Sequence, residues 1–183
     1  MITTRFLATY EYSQYATWLK GQDNETKHLY FGFMQSDENI DRLIKNLKHP
    51  DNFFLVAEHK GQWIGTVHIA VSAIDEVEFG VIVSSNFRGR GVADRMLSEA
   101  IIWSRNRGYA TLYMHCLTWN QPIKRLCTKH GLMVNSSLGE SETKMPLPPA
   151  DITSVTKEIA TRNKNIYRML LQSTVPFIGE IYG

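Results

Sequence analysis

A strand and a helix are joined by Val83-Ser84-Ser85-Asn86-Phe87-Arg88-Gly89-Arg90-Gly91-Val92-Ala93, a turn rich in small residues. The first backbone N–H groups of a helix have no partner within the helix, and the helix dipole is positive there. Main chain alone can therefore hold a phosphate at such a point. Larger side chains at Gly89, Gly91 or Ala93 would keep phosphates away, while Arg88 and Arg90 add positive charge. The stretch predicts a site for a diphosphate.

Two familiar phosphate-binding loops are excluded by the residues that follow the glycines. A P-loop needs Lys-Ser or Lys-Thr after its last glycine, where this chain has Val92-Ala93. A dinucleotide-binding loop needs a third Gly or Ala where Asp94 lies, and an acid near the end of the next strand, where His115-Cys116 stands. A Gly-x-Gly taken alone is also typical of an ordinary glycine-rich loop.

The hydrophobic pattern around this stretch predicts an α/β fold. Runs of β-branched and aromatic residues indicate strands, and apolar residues at helical spacing indicate helices. The strands before and after the helix that begins at Val92 are expected to be parallel, in a right-handed βαβ unit. The predicted strands are 53–58, 63–71, 77–83, 110–116, 132–137 and 142–147, and the predicted helices are 11–20, 36 to before Pro50, 92–108 and 122–131, with a polar loop over 21–27.

A cluster of prolines, Pro146, Pro148 and Pro149, indicates a boundary near residue 149. Beyond it, apolar residues recur at helical spacing from Ile152 to Leu170, which predicts a helix with one apolar face. We therefore expect a domain over residues 1–149 and a helical extension over residues 150–183. The extension packs its apolar face either on the domain or on a second subunit, which leaves a homodimer open.

Composition excludes several classes of protein. The 183 residues carry a net charge of +2, without the clustered Lys and Arg that nucleic acid requires. The two cysteines, Cys116 and Cys127, form neither a disulfide framework nor a zinc motif. The chain shows no signal peptide and no stretch long enough to span a bilayer. We expect a cytoplasmic protein that binds neither nucleic acid nor a membrane.

A second pattern lies downstream, in the segment Asn120-Gln121-Pro122-Ile123-Lys124-Arg125-Leu126-Cys127-Thr128-Lys129-His130-Gly131-Leu132. Together with Arg88-x-x-Gly91-x-Ala93, it resembles the signatures of the GNAT acetyltransferase superfamily. Those signatures are Gln or Arg, two residues, Gly, one residue, Gly or Ala; and Asn before a short helix that ends in Lys-x-Gly-Phe. The resemblance implies a mixed, splayed β-sheet of about six to seven strands flanked by helices, with the helix after residue 150 as an addition.

The resemblance also implies how acetyl-CoA is bound as a co-substrate, without a metal. Pantetheine enters between the two parallel strands, bonds to the main chain of Val81 and Val83, and contacts Asn120. A backbone N–H at Ile82 or Val83 polarises the thioester carbonyl. The pyrophosphate meets the N–H groups that follow Arg88, which are those of Gly89, Arg90, Gly91, Val92, Ala93 and Asp94.

The reaction implied is attack of a neutral amine on the thioester, which requires removal of the amine's proton and protonation of the leaving thiolate. Glu78 is the candidate base, because it lies on the strand that enters the cleft; a solvated surface acid is the alternative. Many family members have a Tyr as the acid where this chain has Cys127. A thiol is a weak donor, and packing in the core is the simpler interpretation of Cys127.

Three histidines are further candidates. His68 and His115 lie on predicted strands, where either could act as an auxiliary base or be structural. His130 lies at a predicted helix end and is explained by the helix dipole.

The predicted function is transfer of an acetyl group from acetyl-CoA to an amine of a small molecule or a protein. The resemblance implies an acceptor site formed by residues 11–47 and 133–147, where Asp23, Glu25, Asp37 and Glu38 offer acids for a cationic amine, or are solvated surface. The alternative is a regulatory module that binds acyl-CoA without turnover. A nucleotide-dependent oxidoreductase is a third candidate.

Overall fold

The computed structural model describes residues 2–47, 51–137 and 140–179. The strands in this part of the chain are β1 (Ile2–Phe6), β2 (Asn52–His59), β3 (Gln62–Ala73), β4 (Glu76–Val83), β5 (Thr111–Leu117), β6 (Met133–Ser137) and β7 (Glu140–Pro146). The helices are α1 (Tyr12–Lys20), α2 (Asn24–Phe31), α3 (Asp37–Asn46), α4 (Val92–Arg105), α5 (Gln121–Lys129) and α6 (Ile152–Gly179).

The strands form one seven-stranded sheet in the order β1-β2-β3-β4-β5-β7-β6. Neighbouring strands are antiparallel except β4 and β5, which are parallel and joined through α4. Only three residue pairs join β4 to β5, and the last is Glu78↔Tyr113, so the two strands separate beyond it. The predicted α/β fold with a splayed sheet and flanking helices is confirmed.

Two elements were not predicted from the sequence. β1 pairs with β2 from Ile2↔His59 to Phe6↔Leu55 at the edge of the sheet. α2 begins inside the predicted polar loop, because Asp23 caps it by accepting a hydrogen bond from the N–H of Thr26 at 2.8 Å. The prediction of a loop over 21–27 is therefore wrong. The expected stop of α3 at Pro50 lies outside the described residues.

Apolar cores lie on both faces of the sheet. One core packs α4, with Met96 and Leu97, on Phe79 of β4; the other packs α1 and α3 on Phe54 and Ile82. α4 approaches the sheet closely at Gly65 of β3, where a Cβ atom would lie 2.9 Å from the side chain of Met96. This close approach lets α4 pack directly on the sheet beside β4.

The extension α6 packs on α4 and β1 through polar residues. Ser154 and Asn165 are 2% and 3% exposed, and the amide of Asn165 donates to the hydroxyl of Thr4 at 2.7 Å. The apolar residues face the other way, with Ile152 87% and Ile159 55% exposed. The expectation that the apolar face packs on the domain or on a second subunit stays a prediction, since the hydrogen bonds that dock α6 on the domain come from its polar face. Among the described residues, no helix has both the length and the apolar character needed to cross a membrane.

Candidate functional site

The gap between β4 and β5 exposes main-chain groups of β4. The N–H of Ser84 donates to the carbonyl of Ile64 on β3 at 3.0 Å. Because main-chain groups alternate in direction along a strand, Ile82 also points toward β3, while Val81 and Val83 point toward the gap. Of the two N–H groups expected to polarise a thioester carbonyl, that of Val83 faces the gap and that of Ile82 faces β3, which favours Val83.

The loop that joins β4 to α4, called the phosphate loop below, has main-chain N–H groups over residues 89–94 without protein partners among the residues that the structure describes. Within the described parts of the chain, no main-chain N–H from Gly89 to Asp94 has a protein hydrogen-bond partner. Gly89 and Gly91 have φ angles of +71° and +74°, which side chains rarely adopt. No atom lies within 4 Å of where their Cβ atoms would be, so the space in front of the amides is open.

Ion pairs hold the start of α4 against α5. The carboxylate of Asp94 accepts from Lys129 at 2.8 Å and lies 2.9 Å from His130 Nε2. Hydrogen bonding to Lys129, with a further contribution from His130, lowers the pKa of Asp94. The acid that lies closest to the phosphate loop is thus neutralised by α5, which favours an anion there.

The two arginines of the loop differ in their contacts. Arg88 donates to the hydroxyl of Thr26 at 2.6 Å and lies 3.6 Å from the carboxylate of Glu25, both on α2. Arg90 lies over the ring of Phe87, with its guanidinium carbon 5.3 Å from the ring centroid. Arg88 therefore joins the phosphate loop to α2, a contact that the sequence did not suggest.

A cavity of about 470 Å³ connects the loop to the gap. One wall is α2, through Thr26, Leu29 and Tyr30, and the opposite wall is the start of α5. The floor is the stretch of β4 from Val81 to Val83, and the loop closes one end. The cavity has the form of a channel that ends in bare amides, which is suited to a long ligand with a diphosphate at one end.

Asn120 lies at the start of α5 and lines the cavity. Its side-chain oxygen accepts from the N–H of Ile123 at 3.4 Å and so caps the helix. The side-chain nitrogen has no protein partner among the described residues, which leaves it able to donate to a ligand.

Glu78 is exposed on the α2 face of β4 and does not line the cavity. It belongs to the last residue pair before the gap, in which its partner is Tyr113. Cross-strand pairing places His115 and Glu142 opposite each other on the same face, and both are exposed. This face thus carries the carboxylates of Glu78 and Glu142. Of the acids expected at an acceptor site, Asp23 caps α2, Glu25 pairs with Arg88, and Asp37 and Glu38 lie in the first turn of α3.

Cys127 is fully buried and lies outside the cavity lining. Its thiol lies 3.8 Å from the sulfur of Met114 and 3.9 Å from the hydroxyl of Thr143. Burial raises the pKa of Cys127 to about 11. Cys127 thus packs in the core outside the cavity lining, which favours the packing interpretation over the role of catalytic acid.

His68 also has a structural environment. Its Nε2 lies 2.8 Å from the side-chain oxygen of Asn52, and its ring stacks on Phe54 with centroids 4.5 Å apart. Burial lowers the pKa of His68 to about 4, so the imidazole is neutral at neutral pH. No group of three His, Cys, Asp or Glu residues in the described part of the chain could hold a metal ion.

Tyr30 is a residue of the site that the sequence did not single out. It lines the cavity, and its hydroxyl lies 3.1 Å from where a Cβ on Gly80 would be. The hydroxyl of Tyr15 on α1 lies 3.5 Å away. The signal that could have found Tyr30 is the helix it belongs to: Asp23 as N-cap, and Gly32 at φ +81° as the helix end.

Comparison with protein families finds one match over most of the chain. The sequence model of the Acetyltransferase (GNAT) family matches residues 16–132. No curated protein matches the chain at the sequence level.

Solved structures share the fold at low identity. The GNAT domain of S. lividans PAT has a TM-score of 0.67 at 21% identity and covers 79% of this chain and 89% of its own. Spermidine N-acetyltransferase from Vibrio cholerae, solved with CoA and spermine, has a TM-score of 0.66 at 16% identity, with 80% and 95% covered. The ribosomal-protein-S18-alanine N-acetyltransferase from Escherichia coli has a TM-score of 0.63 at 16% identity, with 83% and 97% covered.

Proposed function

The chain belongs to the GNAT acetyltransferase family, and from this we propose that it transfers the acetyl group of acetyl-CoA to a primary amine of a small molecule or a protein, by direct attack in a ternary complex. One observation carries the proposal: the unpaired amides from Gly89 to Asp94 lie at the end of a channel floored by the open edge of β4. A diphosphate and an extended amide-bearing arm fit those two features.

The pyrophosphate binds the N–H groups of Gly89, Arg90, Gly91, Val92, Ala93 and Asp94. Pantetheine then lies along the open edge of β4, where it bonds to the main chain of Val81 and Val83 in place of a missing neighbour strand. The free amide nitrogen of Asn120 contacts the same arm from the α5 wall. This arrangement brings the thioester to the inner end of the channel, near Val81 and Gly80.

In the reaction, the nitrogen of the acceptor amine attacks the thioester carbon, the C–N bond forms, and the C–S bond breaks with its electron pair passing to sulfur. Glu78 takes the proton that the amine loses, directly or through water. Its exposed position at the point where β4 and β5 separate supports this role. The thiolate takes a proton from solvent after release.

The acceptor is a cationic amine that approaches over the sheet face carrying Glu78 and Glu142. Both carboxylates are exposed, and Glu78 lies where β4 and β5 separate, so they attract a protonated amine before it loses its proton. Trp119, 55% exposed, stacks on His28 of α2 with centroids 5.7 Å apart, and gives this entrance an aromatic edge.

A regulatory module that binds acyl-CoA without turnover is the second candidate. It is favoured by one observation, the burial of Cys127 where relatives carry a catalytic Tyr, because it leaves that position without an acid. A thermal shift with CoA and no thiol release across a broad panel of amines would support this alternative.

The first test is a thermal-shift screen with acetyl-CoA, longer acyl-CoAs, NAD and ATP, since it requires no knowledge of the acceptor. We expect acetyl-CoA to raise the melting temperature at concentrations where NAD and ATP do not. Thiol release is then measured with polyamines, diamines and lysine peptides. Stabilisation by NAD but not by acetyl-CoA would reject the proposal.

A further inference from the structure

The lining of the channel includes the phenol of Tyr30, on the α2 wall. Tyr30 contacts β4 at Gly80, next to Val81, where the floor of the channel begins. A Cβ on Gly80 would lie 3.1 Å from both the hydroxyl and a ring carbon of Tyr30. A glycine at this position therefore allows the hydroxyl to reach the strand edge where the thioester is placed.

The surroundings of Tyr30 keep its hydroxyl protonated. Burial, with smaller contributions from Tyr15 and Glu78, raises the pKa of Tyr30 well above the ordinary value of a phenol. Burial also raises the pKa of Tyr15. Tyr30 is thus a neutral hydrogen-bond donor at every pH at which an amine is acetylated, and it is a poor proton donor to a thiolate.

The hydroxyl also has spare donor capacity. Its protein neighbour is the hydroxyl of Tyr15 at 3.5 Å, a long contact in which either oxygen can be the donor. When Tyr15 donates, the proton of Tyr30 is free to point to a ligand. Alternative side-chain donors in the lining, such as Thr26 and Asn120, lie toward the loop or on the α5 wall.

We propose that Tyr30 is a catalytic residue whose hydroxyl donates a hydrogen bond to the carbonyl oxygen of the bound thioester, and that it completes an oxyanion site with a main-chain N–H of β4. The inference rests on the proposed function. The hydroxyl keeps its proton throughout: as the C–N bond forms, the carbonyl electron pair moves to oxygen, is stabilised there by the two donors, and returns as the C–S bond breaks. A hydrogen bond that becomes stronger as negative charge develops on the carbonyl oxygen stabilises the transition state more than the bound thioester. Its main effect is therefore on kcat and not on the affinity for acetyl-CoA.

The test compares Tyr30→Phe with the wild type in two measurements. Infrared spectroscopy of bound acetyl-CoA, labelled with ¹³C at the carbonyl, reports hydrogen bonding to that oxygen without any acceptor. We expect the carbonyl band to move to higher frequency in Tyr30→Phe, and kcat to fall about 100-fold, as for loss of an oxyanion donor. The thermal shift produced by acetyl-CoA is expected to stay close to that of the wild type.

Tyr12→Phe is the matched control. The hydroxyl of Tyr12 donates to the main-chain oxygen of Asn52 at 2.8 Å, so its removal also costs a hydrogen bond, but Tyr12 does not line the channel. The carbonyl band and kcat are expected to be unchanged in this variant.

Gly80→Ala provides a second variant with an intact hydroxyl. Its methyl group pushes the Tyr30 ring away from the strand, so a smaller shift of the band in the same direction is expected. This variant decides the question if Tyr30→Phe fails to fold.

Each outcome has a definite meaning. If Tyr30→Phe binds acetyl-CoA and the carbonyl band does not shift, the role of Tyr30 is overturned and the proposed function still stands. If Tyr30→Phe does not fold, an unshifted band in Gly80→Ala has the same meaning. A wild-type protein that does not bind acetyl-CoA overturns both.

Discussion

The two helices that wall the channel differ in what they contribute. α5 supplies packing: its cap residue Asn120 and its apolar side chains line the channel, while Cys127 points into the core. α2 supplies side-chain chemistry: Thr26 receives Arg88 from the phosphate loop, and Tyr30 lies over the strand edge. The α5 wall thus depends mainly on shape, whereas the α2 wall depends on individual functional groups.

The largest effect is expected at the phosphate loop, which lies at the end of the channel between its two walls. Gly91→Glu places a carboxylate in the open space before the amides, so acetyl-CoA should produce no thermal shift and activity should be lost. The positive φ adds strain of about 1–2 kcal/mol. Gly108→Glu is the control, since Gly108 has a φ of +85° with open space around it and lies beyond the far end of α4. Retained binding by Gly91→Glu would contradict the assignment of the loop.

A smaller effect is expected at the acceptor face. Glu78→Gln removes the proposed base, so kcat should fall about 100-fold, with the greatest loss at low pH, where the amine arrives protonated. The pH dependence of the rate is the measurement. Glu76→Gln, two residues earlier on the same face, is the matched control and should behave as the wild type. A Glu78→Gln profile that follows the wild type would make Glu78 a surface acid.

On α5, the substitution Cys127→Ala tests whether the thiol contributes to stability or to catalysis. Loss of a buried thiol should reduce the free energy of unfolding by about 1–2 kcal/mol, while kcat and the KM for acetyl-CoA stay unchanged. Chemical denaturation and steady-state kinetics measure the two quantities. Cys116→Ala, at a half-buried thiol, is the control for general effects of cysteine removal. A fall in kcat at full stability would return Cys127 to the reaction.

The smallest effect is expected at the start of α2. Hydrogen bonds from the N–H and hydroxyl of Thr26 lower the pKa of Asp23 from 3.8 to about 2. The folded-state pKa is depressed, so this stabilisation is complete above pH 3.8 and is lost as the pH falls toward 2. Asp23→Ala should therefore destabilise the protein by about 1 kcal/mol at neutral pH.

Denaturation curves from pH 7 to pH 2 should bring the wild type and Asp23→Ala together. Asp37→Ala, in the first turn of α3 without a capping role, is the control. A difference between wild type and Asp23→Ala that persists at pH 2 would show that the carboxylate is not the stabilising group.

The sequence predicts the succession of β4, the phosphate loop and α4 well because its signals are local. Positive φ at Gly89 and Gly91, the cap at Asn120 and the alternation along β4 all depend on residues within a few positions of one another. These signals also place the strand, the loop and the helix in order, from which the parallel βαβ unit follows. The resemblance to the family rests on the same residues.

The α2 wall depends on contacts between distant parts of the chain, which the sequence pattern does not reveal. α2 is short and has aromatic residues on several sides, so it shows no clear amphipathic period. β1 buries Thr3 and Thr4, so its apolar alternation is weak. Tertiary packing decides which face of an element meets the channel, and it places Cys127 and His68 outside the channel lining.

The polar contacts of α6 keep ionisable groups of the domain away from solvent. Asn165 bridges Thr4 and Arg95, and Thr4 in turn donates to Glu99 at 2.6 Å. Burial raises the pKa of Glu99. A chain that ends at residue 149 would expose this cluster to water, and the pKa of Glu99 would return toward its ordinary value. The extension thus shields these groups from solvent.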